Sequence, residues 1–291
     1  MAKPVTLQME ASGTTAARYE ILGPIGKGAT GSVFQAYDHA LFRMIALKVL
    51  DVSAGDAAQL SFKRERKALS RMQHDNVVTL FDCRPRAEKP FMALSYHRGP
   101  SLKSVLASGA LSEPDAAAVA HEISRALEHV HGHGFVYRDV KPENVLIDDE
   151  RVILIDFGTA AELGVDETAG EVVGTLGFMA PEQYDGQQVG PHSDVFGLGA
   201  LLYEAVVGTT PYGVFAKRRR CIRPHRYVHP SEARPDLSDA FAAIVHRALA
   251  LDPSQRFSTV GEFRQALSEC FAGHGTVDPR ARVRTLVDAR P

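Results

Sequence analysis

The residues able to do chemistry gather in four places. The first is Ile25-Gly26-Lys27-Gly28-Ala29-Thr30-Gly31-Ser32-Val33, where glycines remove side chains and let backbone amides approach phosphate oxygens. Glycines so spaced serve ordinary hairpin turns equally well. A dinucleotide fingerprint leads from a strand into a helix, whereas these glycines join two strand-like runs, which disfavours a dinucleotide fold and fits a flap laid over phosphates. The second place is Ala46-Leu47-Lys48-Val49, a cation in an apolar strand that is costly unless an anion meets it. A charge on an edge strand is the plainer reading, and Glu65 on the next helix is a candidate partner. The third, Tyr137-Arg138-Asp139-Val140-Lys141-Pro142-Glu143-Asn144, sets a Lys two residues and an Asn five residues after an Asp. The fourth is Ile155-Asp156-Phe157-Gly158, an acid at the end of a strand, with Ala180-Pro181-Glu182 further on.

The elements that must position these groups change along the chain. Residues 1–17 are polar, small and aperiodic and read as a loose leader. From Tyr19 to Leu50 three runs rich in β-branched and aromatic residues follow one another, as successive antiparallel strands do. Asp56 to Met72 has helical spacing, and two more strand-like runs cover Val77–Cys83 and Pro90–Tyr96. Beyond Gly99 the pattern is helical: Ser112 is placed to cap a helix with Pro114 in its first turn, and apolar positions continue it to about His131. Short strands at Val145–Ile147 and Val152–Ile155 precede a glycine- and acid-rich connection, and connections of such length inside a compact domain are usually functional. From Ser193 the chain is helical again to about Phe271, and DPRARVRTLVDARP reads as a tail.

In this order and on these elements, the motifs resemble the eukaryotic-type, or Hanks-type, protein kinase family over about residues 19–271, with the flavour of a bacterial member. The resemblance implies an α+β, bilobal fold: a mainly antiparallel β lobe with one helix at 18–95, a hinge at 95–99, and a larger, mainly α lobe at 100–272. The whole kinase domain is expected at 18–272, followed by a tail at 273–291. It implies ATP and Mg²⁺ as cofactors, with Mn²⁺ as a substitute. Gly26, Gly28 and Gly31 would cover the phosphates, with Ile25 at the edge of that loop, and Lys48 would hold the α- and β-phosphates while paired with Glu65. Val33 and Ala46 would line the adenine site from above and Leu146 from below. Leu94 would guard the back of that site, and the backbone of Ser95-Tyr96-His97 would read the adenine edge. Asp139 would accept the hydroxyl proton, Lys141 would neutralise charge on the transferring group, and Asn144 and Asp156 would hold the metal. Arg138, Glu182, Asp194 and Arg256 would be structural: Arg256 pairs with Glu182, Asp194 holds the catalytic-loop backbone, and Arg138 meets an activation-loop phosphate.

D-V-K-P-E-N and Gly174-Thr175 resemble the serine/threonine branch, so the acceptors expected are Ser and Thr hydroxyls of proteins. Thr168 is expected to be autophosphorylated, with Thr175 second, since a phosphothreonine supplies charge and acceptors for Arg138. A pseudokinase or nucleotide-binding scaffold is the alternative, and retention of Lys48, Glu65, Asp139, Lys141, Asn144 and Asp156 speaks against it. Tyr137 stands where the family usually has His and is expected to pack on Phe157. His129, His131 and His133 are read as a solvated helix end rather than a metal site.

Composition bounds the rest. With 291 residues, 45% hydrophobic and 23% charged, the chain has the make-up of a globular protein. A net charge of −2 argues against a chain-wide nucleic-acid binder, so none is expected. Lys217 to Arg226 nevertheless carries six cations and no acid, a solvated run or a docking surface for an acidic partner. Three scattered cysteines point to a reducing compartment, and no apolar stretch reaches the roughly 20 residues a spanning helix needs. A cytoplasmic location is expected, either alone or as the cytosolic part of a longer membrane-anchored protein, and the resemblance adds homodimerisation through the smaller lobe.

Overall fold

The structure, a computed structural model, describes residues 18–28, 30–165, 172–212, 227–271 and 278–288. The leader, Thr168 and the basic run 217–226 lie outside the described residues. Two compact units divide the chain: a smaller one built from residues up to 73 and from 78–98, and a larger one from 74–77 and 99 onward.

The smaller unit is a five-stranded antiparallel sheet with one helix. Strands β1 (Tyr19–Gly28), β2 (Gly31–Asp38), β3 (Arg43–Leu50), β4 (Leu80–Arg84) and β5 (Phe91–Ser95) lie in the order β1-β2-β3-β5-β4. Helix α1 (Asp56–Leu69) buries Ala58, Phe62, Glu65, Ala68 and Leu69. The strands alternate as a half-buried sheet must: Ile45, Leu47 and Ala93 join Tyr19, Ile21, Ala36 and Phe91 in one core cluster. At the start of the sheet Arg18 makes paired bonds of 2.9 and 3.0 Å to the fully buried carboxylate of Asp38.

The larger unit is mainly helical, with α2 (Leu102–Leu106), α3 (Glu113–Gly132), α4 (Pro181–Tyr184), α5 (Pro191–Val207), α6 (Pro230–Ala233), α7 (Asp239–Ala248), α8 (Val260–Phe271) and α9 (Pro279–Asp288). Ser112 caps α3 as the sequence predicts, accepting from the Asp115 amide, with Pro114 in the first turn. The core centres on α3 and α5, whose Ile123, Leu127, Leu198, Leu201 and Leu202 are completely buried. Gly199 lets α5 meet α7 closely, because a Cβ there would fall 2.7 Å from Ala248 Cβ. Two small antiparallel sheets complete the unit: the hairpin of β7 (Val145–Asp148) with β8 (Arg151–Leu154), and the non-consecutive pair of β6 (Phe135–Val136) with β9 (Ala161–Glu162). The β6–β9 pair is two residues long on each side, too short for any periodicity to announce. Residues 74–77 belong here because Asn76 bonds Val152 O through its side chain and accepts from the Leu154 amide.

The stretch expected as a tail holds α9, which packs on α3, β7 and β8 with Val283 completely buried. Its Arg280 and Arg282 find acidic partners distant in sequence, which an arginine-rich pattern does not reveal. The histidines of α3 also depart from a solvated helix end. His131 Nε2 lies 2.7 Å from Asp194, and His129 stacks on His74 at 4.9 Å between ring centroids. Only His133 and the adjoining Gly132 are exposed, and no group of metal-ligating side chains forms among the described residues. Nor is any described helix long and apolar enough to cross a membrane.

Candidate active site

In the smaller unit, register decides which side chains share a face. Val33 stands opposite Lys48, Lys48 opposite Met92, and Ala46 opposite Leu94, and residues directly opposite project to the same side. Val33, Ala46, Lys48 and Leu94 therefore share one face, with Leu94 buried and Val33 and Ala46 half-buried. Lys48 sits on β3, the middle strand of the five, so the edge-strand reading of this lysine does not hold. Its Nζ lies 2.5 Å from Glu65 Oε2, and Glu65 is 1% exposed. A lysine inside a sheet needs such an anion, because an unpaired charge there costs several kcal/mol.

The glycines of the first turn divide into two kinds. At Gly31 a Cβ would lie 2.0 Å from Val49 O, so sheet packing alone demands glycine. At Gly26 and Gly28 a Cβ would meet nothing within 4 Å. Protein packing does not require glycine there, and neither residue has a positive φ. Ile25 beside them is exposed. At the far end of the sheet Ser95 donates its amide to Thr79 O at 2.9 Å, takes the Thr79 amide on Oγ at 3.0 Å, and holds His97 Nε2 at 2.9 Å.

In the larger unit one loop and the later segment at Thr175 bring four polar groups together. Asp139, 6% exposed, accepts from the Thr175 hydroxyl at 2.7 Å on Oδ1, and on Oδ2 from Lys141 Nζ at 2.7 Å and Asn144 Nδ2 at 3.0 Å. Lys141 Nζ also lies 2.7 Å from the Thr175 hydroxyl, closing a carboxylate–ammonium–hydroxyl triangle. Asn144, in the one-turn 3₁₀ segment Pro142–Asn144, ties the loop further by donating to Asp139 O at 3.0 Å. Its carbonyl accepts from the Ile155 amide at 2.9 Å, so the residue before Asp156 is fixed to the loop.

The loop is held from below by Asp194 in the first turn of α5. Its carboxylate, 1% exposed, accepts from the Tyr137 amide at 2.9 Å and the Arg138 amide at 2.7 Å, besides His131. Gly197, one helical turn on, allows the approach, since a Cβ there would already press on Val140 at 3.1 Å. Arg138 and Asp156 have φ of 71° and 59°, a left-handed conformation that costs a non-glycine residue about 1–3 kcal/mol and is kept where surrounding bonds over-determine it. At Arg138 those bonds are visible: Arg138 Nε donates to Thr159 O at 2.5 Å, Thr159 Oγ1 to Tyr137 O at 3.0 Å, and Gln183 Nε2 to Arg138 O at 2.9 Å. The Asp156 carboxylate is exposed, with the Gly158 amide 3.3 Å from Oδ1. Tyr137 packs edge-on to Phe157 at 5.0 Å, as expected, and its hydroxyl donates to Ile155 O. Burial raises the Tyr137 phenol far above its ordinary range, so it stays a neutral packing group.

Glu182 and Arg256 form a separate pair, with bonds of 2.7 and 2.9 Å between the two ends. Burial pushes the Glu182 carboxyl up, but Arg256 and Ser193 outweigh it and hold it below the ordinary value. Leu146 lies in β7 and bridges to Ser101, while Gly99 sits so close to β7 that a Cβ would collide with Ile147 O at 1.6 Å. Sequence reading missed Gln183, Thr159 and the close approach that Gly99, at the end of the expected hinge, allows to β7. Only the last carried a signal, as a lone glycine between a strand and a helix.

A five-stranded antiparallel sheet with one helix, followed by a mainly helical unit carrying this loop, is the fold of a protein kinase catalytic domain. The chain belongs to that family: residues 19–271 match the protein kinase domain. It is 32% identical over 276 residues to a probable serine/threonine-protein kinase of Streptomyces coelicolor, covering 88% of this chain and 40% of that protein. Against serine/threonine-protein kinase PknE of Mycobacterium tuberculosis the identity is 30% over 271 residues, covering 89% and 47%. With PknB of Mycolicibacterium smegmatis it is 31% over 279 residues, covering 90% and 44%. The chain thus spans less than half the length of these curated relatives.

Proposed function

We propose that the chain is a Mg²⁺- and ATP-dependent kinase that transfers the γ-phosphoryl group to Ser and Thr hydroxyls of proteins. One observation carries this reading: an aliphatic hydroxyl, that of Thr175, is held 2.7 Å from both the Asp139 carboxylate and the Lys141 ammonium. A carboxylate so placed orients a hydroxyl and takes up its proton as the oxygen–phosphorus bond forms, and the neighbouring ammonium offsets charge on the transferring group. Lys141 and Asn144 fix the plane of the Asp139 carboxylate, so its orientation costs nothing at the moment of reaction.

Asn144 and Asp156 offer the oxygen ligands that hard divalent cations prefer, and Asp156 presents an exposed carboxylate from a strained backbone. When bound there, Mg²⁺ would neutralise phosphate charge, and Mn²⁺ has compatible ligand preferences. Gly26 and Gly28, which packing leaves unexplained, fit a loop whose amides approach phosphates, and Lys48, fixed by Glu65, supplies a cation for the nucleotide. Val33, Ala46, Leu94 and Leu146, with the backbone of Ser95 and His97, would receive the adenine. A cytoplasmic location, alone or as the cytosolic part of a longer membrane-anchored protein, goes with the use of ATP.

Arg138, Glu182, Asp194 and Arg256 serve as supports. Thr168 is the proposed autophosphorylation site, with Thr175 second because its hydroxyl is already engaged. A pseudokinase gains no support from a site in which Lys48, Glu65, Asp139, Lys141, Asn144 and Asp156 are all retained. Transfer of labelled phosphate from ATP to a general protein substrate tests the reading. Asp139→Ala is expected to lower kcat by about 10²–10⁴, and transfer that survives the substitution overturns it.

A further inference from the structure

The family match ends at residue 271, yet α9, eight residues further on, is packed into the larger unit. A ten-residue helix is not stable alone in water, so something on the domain holds it. The apolar anchor is small: among its described side chains only Val283 is fully buried. The rest is charge. Arg282 bonds Asp115 at 3.1 Å on α3, and Arg280 spans Asp75 and Glu122, each at 3.5 Å.

Glu122 sets this contact apart from a surface ion pair. Its side chain is 2% exposed, and Arg125 at 3.1 Å, His121 at 3.4 Å and the Asn76 amide at 3.0 Å surround it besides Arg280. Burial pushes the carboxyl up, but His121, Asn76 and Arg125 outweigh it and hold it down at about 2. Asn76, itself fully buried, passes the contact on: the same Nδ2 donates to Val152 O at 2.8 Å, and its carbonyl accepts from the Leu154 amide at 2.8 Å. Both bonds grip β8, which ends two residues before Asp156. Helix α9 also packs directly on β7 and β8.

We propose that α9 is a strap on the catalytic unit, in which Arg280 is a positioning residue for Asp156 through Glu122, Asn76 and β8. The inference rests on the kinase reading for the role of Asp156 but not for the mechanical link. The strap is detachable: among its described side chains one fully buried valine holds it, together with ion pairs whose arginines are about a third exposed. High salt is expected to loosen it, since the Debye length falls to about 3 Å at 1 M. Its docking state would then set how well the metal-binding carboxylate is placed.

The test compares the full chain, a chain ending at residue 277, Arg280→Ala, and the control Thr285→Ala on the same helix. Amide hydrogen exchange of Val152–Ile155 is measured without nucleotide, and transfer rate is measured against Mg²⁺ concentration. Removing α9 is expected to speed exchange at Val152–Ile155 by about tenfold, equivalent to ~1.4 kcal/mol. The Mg²⁺ needed for half-maximal rate should rise at least threefold, with KM for the protein substrate unchanged. Arg280→Ala should follow in the same direction and Thr285→Ala, at an exposed position whose hydroxyl bonds Arg282 O within the helix, should not. Unchanged exchange at Val152–Ile155 overturns the proposal, as does a uniform rise across the larger unit, which is ordinary destabilisation. Local exchange that rises without a change in Mg²⁺ requirement overturns the role assigned to Arg280. A full chain that transfers no phosphate defeats the kinase reading instead and leaves the exchange result standing.

Discussion

Two ion pairs of the larger unit, built from the same kinds of groups, have opposite designs. Glu182 and Arg256 close on themselves. Arg256 is buried with each of its five N–H donors bonded: two to the Glu182 carboxylate at 2.7 and 2.9 Å, and the others to the carbonyls of His192, Ala250 and Leu251. Its guanidinium also lies over the Phe196 ring. Nothing in that arrangement can be traded for a ligand. Asp139 and Lys141 are bonded just as closely, but the ammonium is a rotatable point charge, its side chain remains 19% exposed, and the third member of the set is a hydroxyl. A rigid fork with fixed partners makes a joint between segments 74 residues apart in the chain, whereas a point charge beside a carboxylate and a hydroxyl makes a site. Closeness of contact does not separate structure from chemistry; satisfaction of every donor does.

The contrast can be pressed hardest at Arg256. Removing it leaves a buried Glu182 carboxylate without its cation, so Arg256→Ala is expected to cost about 3–5 kcal/mol in urea or thermal unfolding. Arg256→Lys should recover little of that, because three donors cannot replace five. If Arg256→Ala unfolds like the parent chain, the pair is not a joint.

Acid should reach the closed design next, through its buried carboxylate and the other buried groups of the larger unit. Glu182 and Glu122 have folded-state carboxyl pKa values below the ordinary 4.5, Glu122 at about 2. Their stabilisation is therefore complete at neutral pH and is lost as pH falls from about 4.5 toward 2. His74 and His129 are lowered from 6.5 mainly by burial, next by Arg125 at His74 and by His133 at His129. The unfolded chain binds their protons first, so stability should already decline as pH drops below 6.5. Urea midpoints recorded across pH 3–8 should show two descending limbs, and His129→Gln should flatten the upper one. A flat profile from pH 7 to 5 removes the histidines from the account.

The smallest effect is expected at Thr175. Thr175→Val deletes one hydroxyl from the Asp139–Lys141 set, a loss of about 0.5–1.5 kcal/mol that should appear in kcat rather than in the unfolding midpoint. Thr175→Ser should restore the rate. A valine variant that loses stability and keeps its rate would make this triangle a joint like that of Glu182.

Local signals made much of this molecule readable from its sequence. The strand–turn–strand around Gly26–Gly31, the alternation that sets Lys48 opposite the core residues of β3, and the Ser112 cap are all carried by neighbours within a few residues. So was the order of the motif loops, which placed Asp139, Asn144 and Asp156 on the elements that bear them. What escaped notice depends on partners far along the chain. The acids that dock α9 precede its arginines by more than 150 residues, and Asp194 reaches His131 across 63. The positive φ angles of Arg138 and Asp156 have no local cause either. At Arg138 the shape is held by Asp194, Gln183 and Thr159, and beside Asp156 the Ile155 backbone is held by Asn144 O and the Tyr137 hydroxyl.

The placement of residues 74–77 has a consequence for timing during synthesis. Asn76 leaves the ribosome soon after α1, but its side-chain partner Val152 is made 76 residues later. At roughly 5–20 residues per second that is a delay of about 4–15 s. Throughout it the sheet of the smaller unit can close, whereas the segment between β3 and β4 waits unpaired with an amide that only the larger unit can satisfy. Residues 74–77 therefore cannot dock until the larger unit has been written as far as Val152, although the smaller unit's own sheet need not wait.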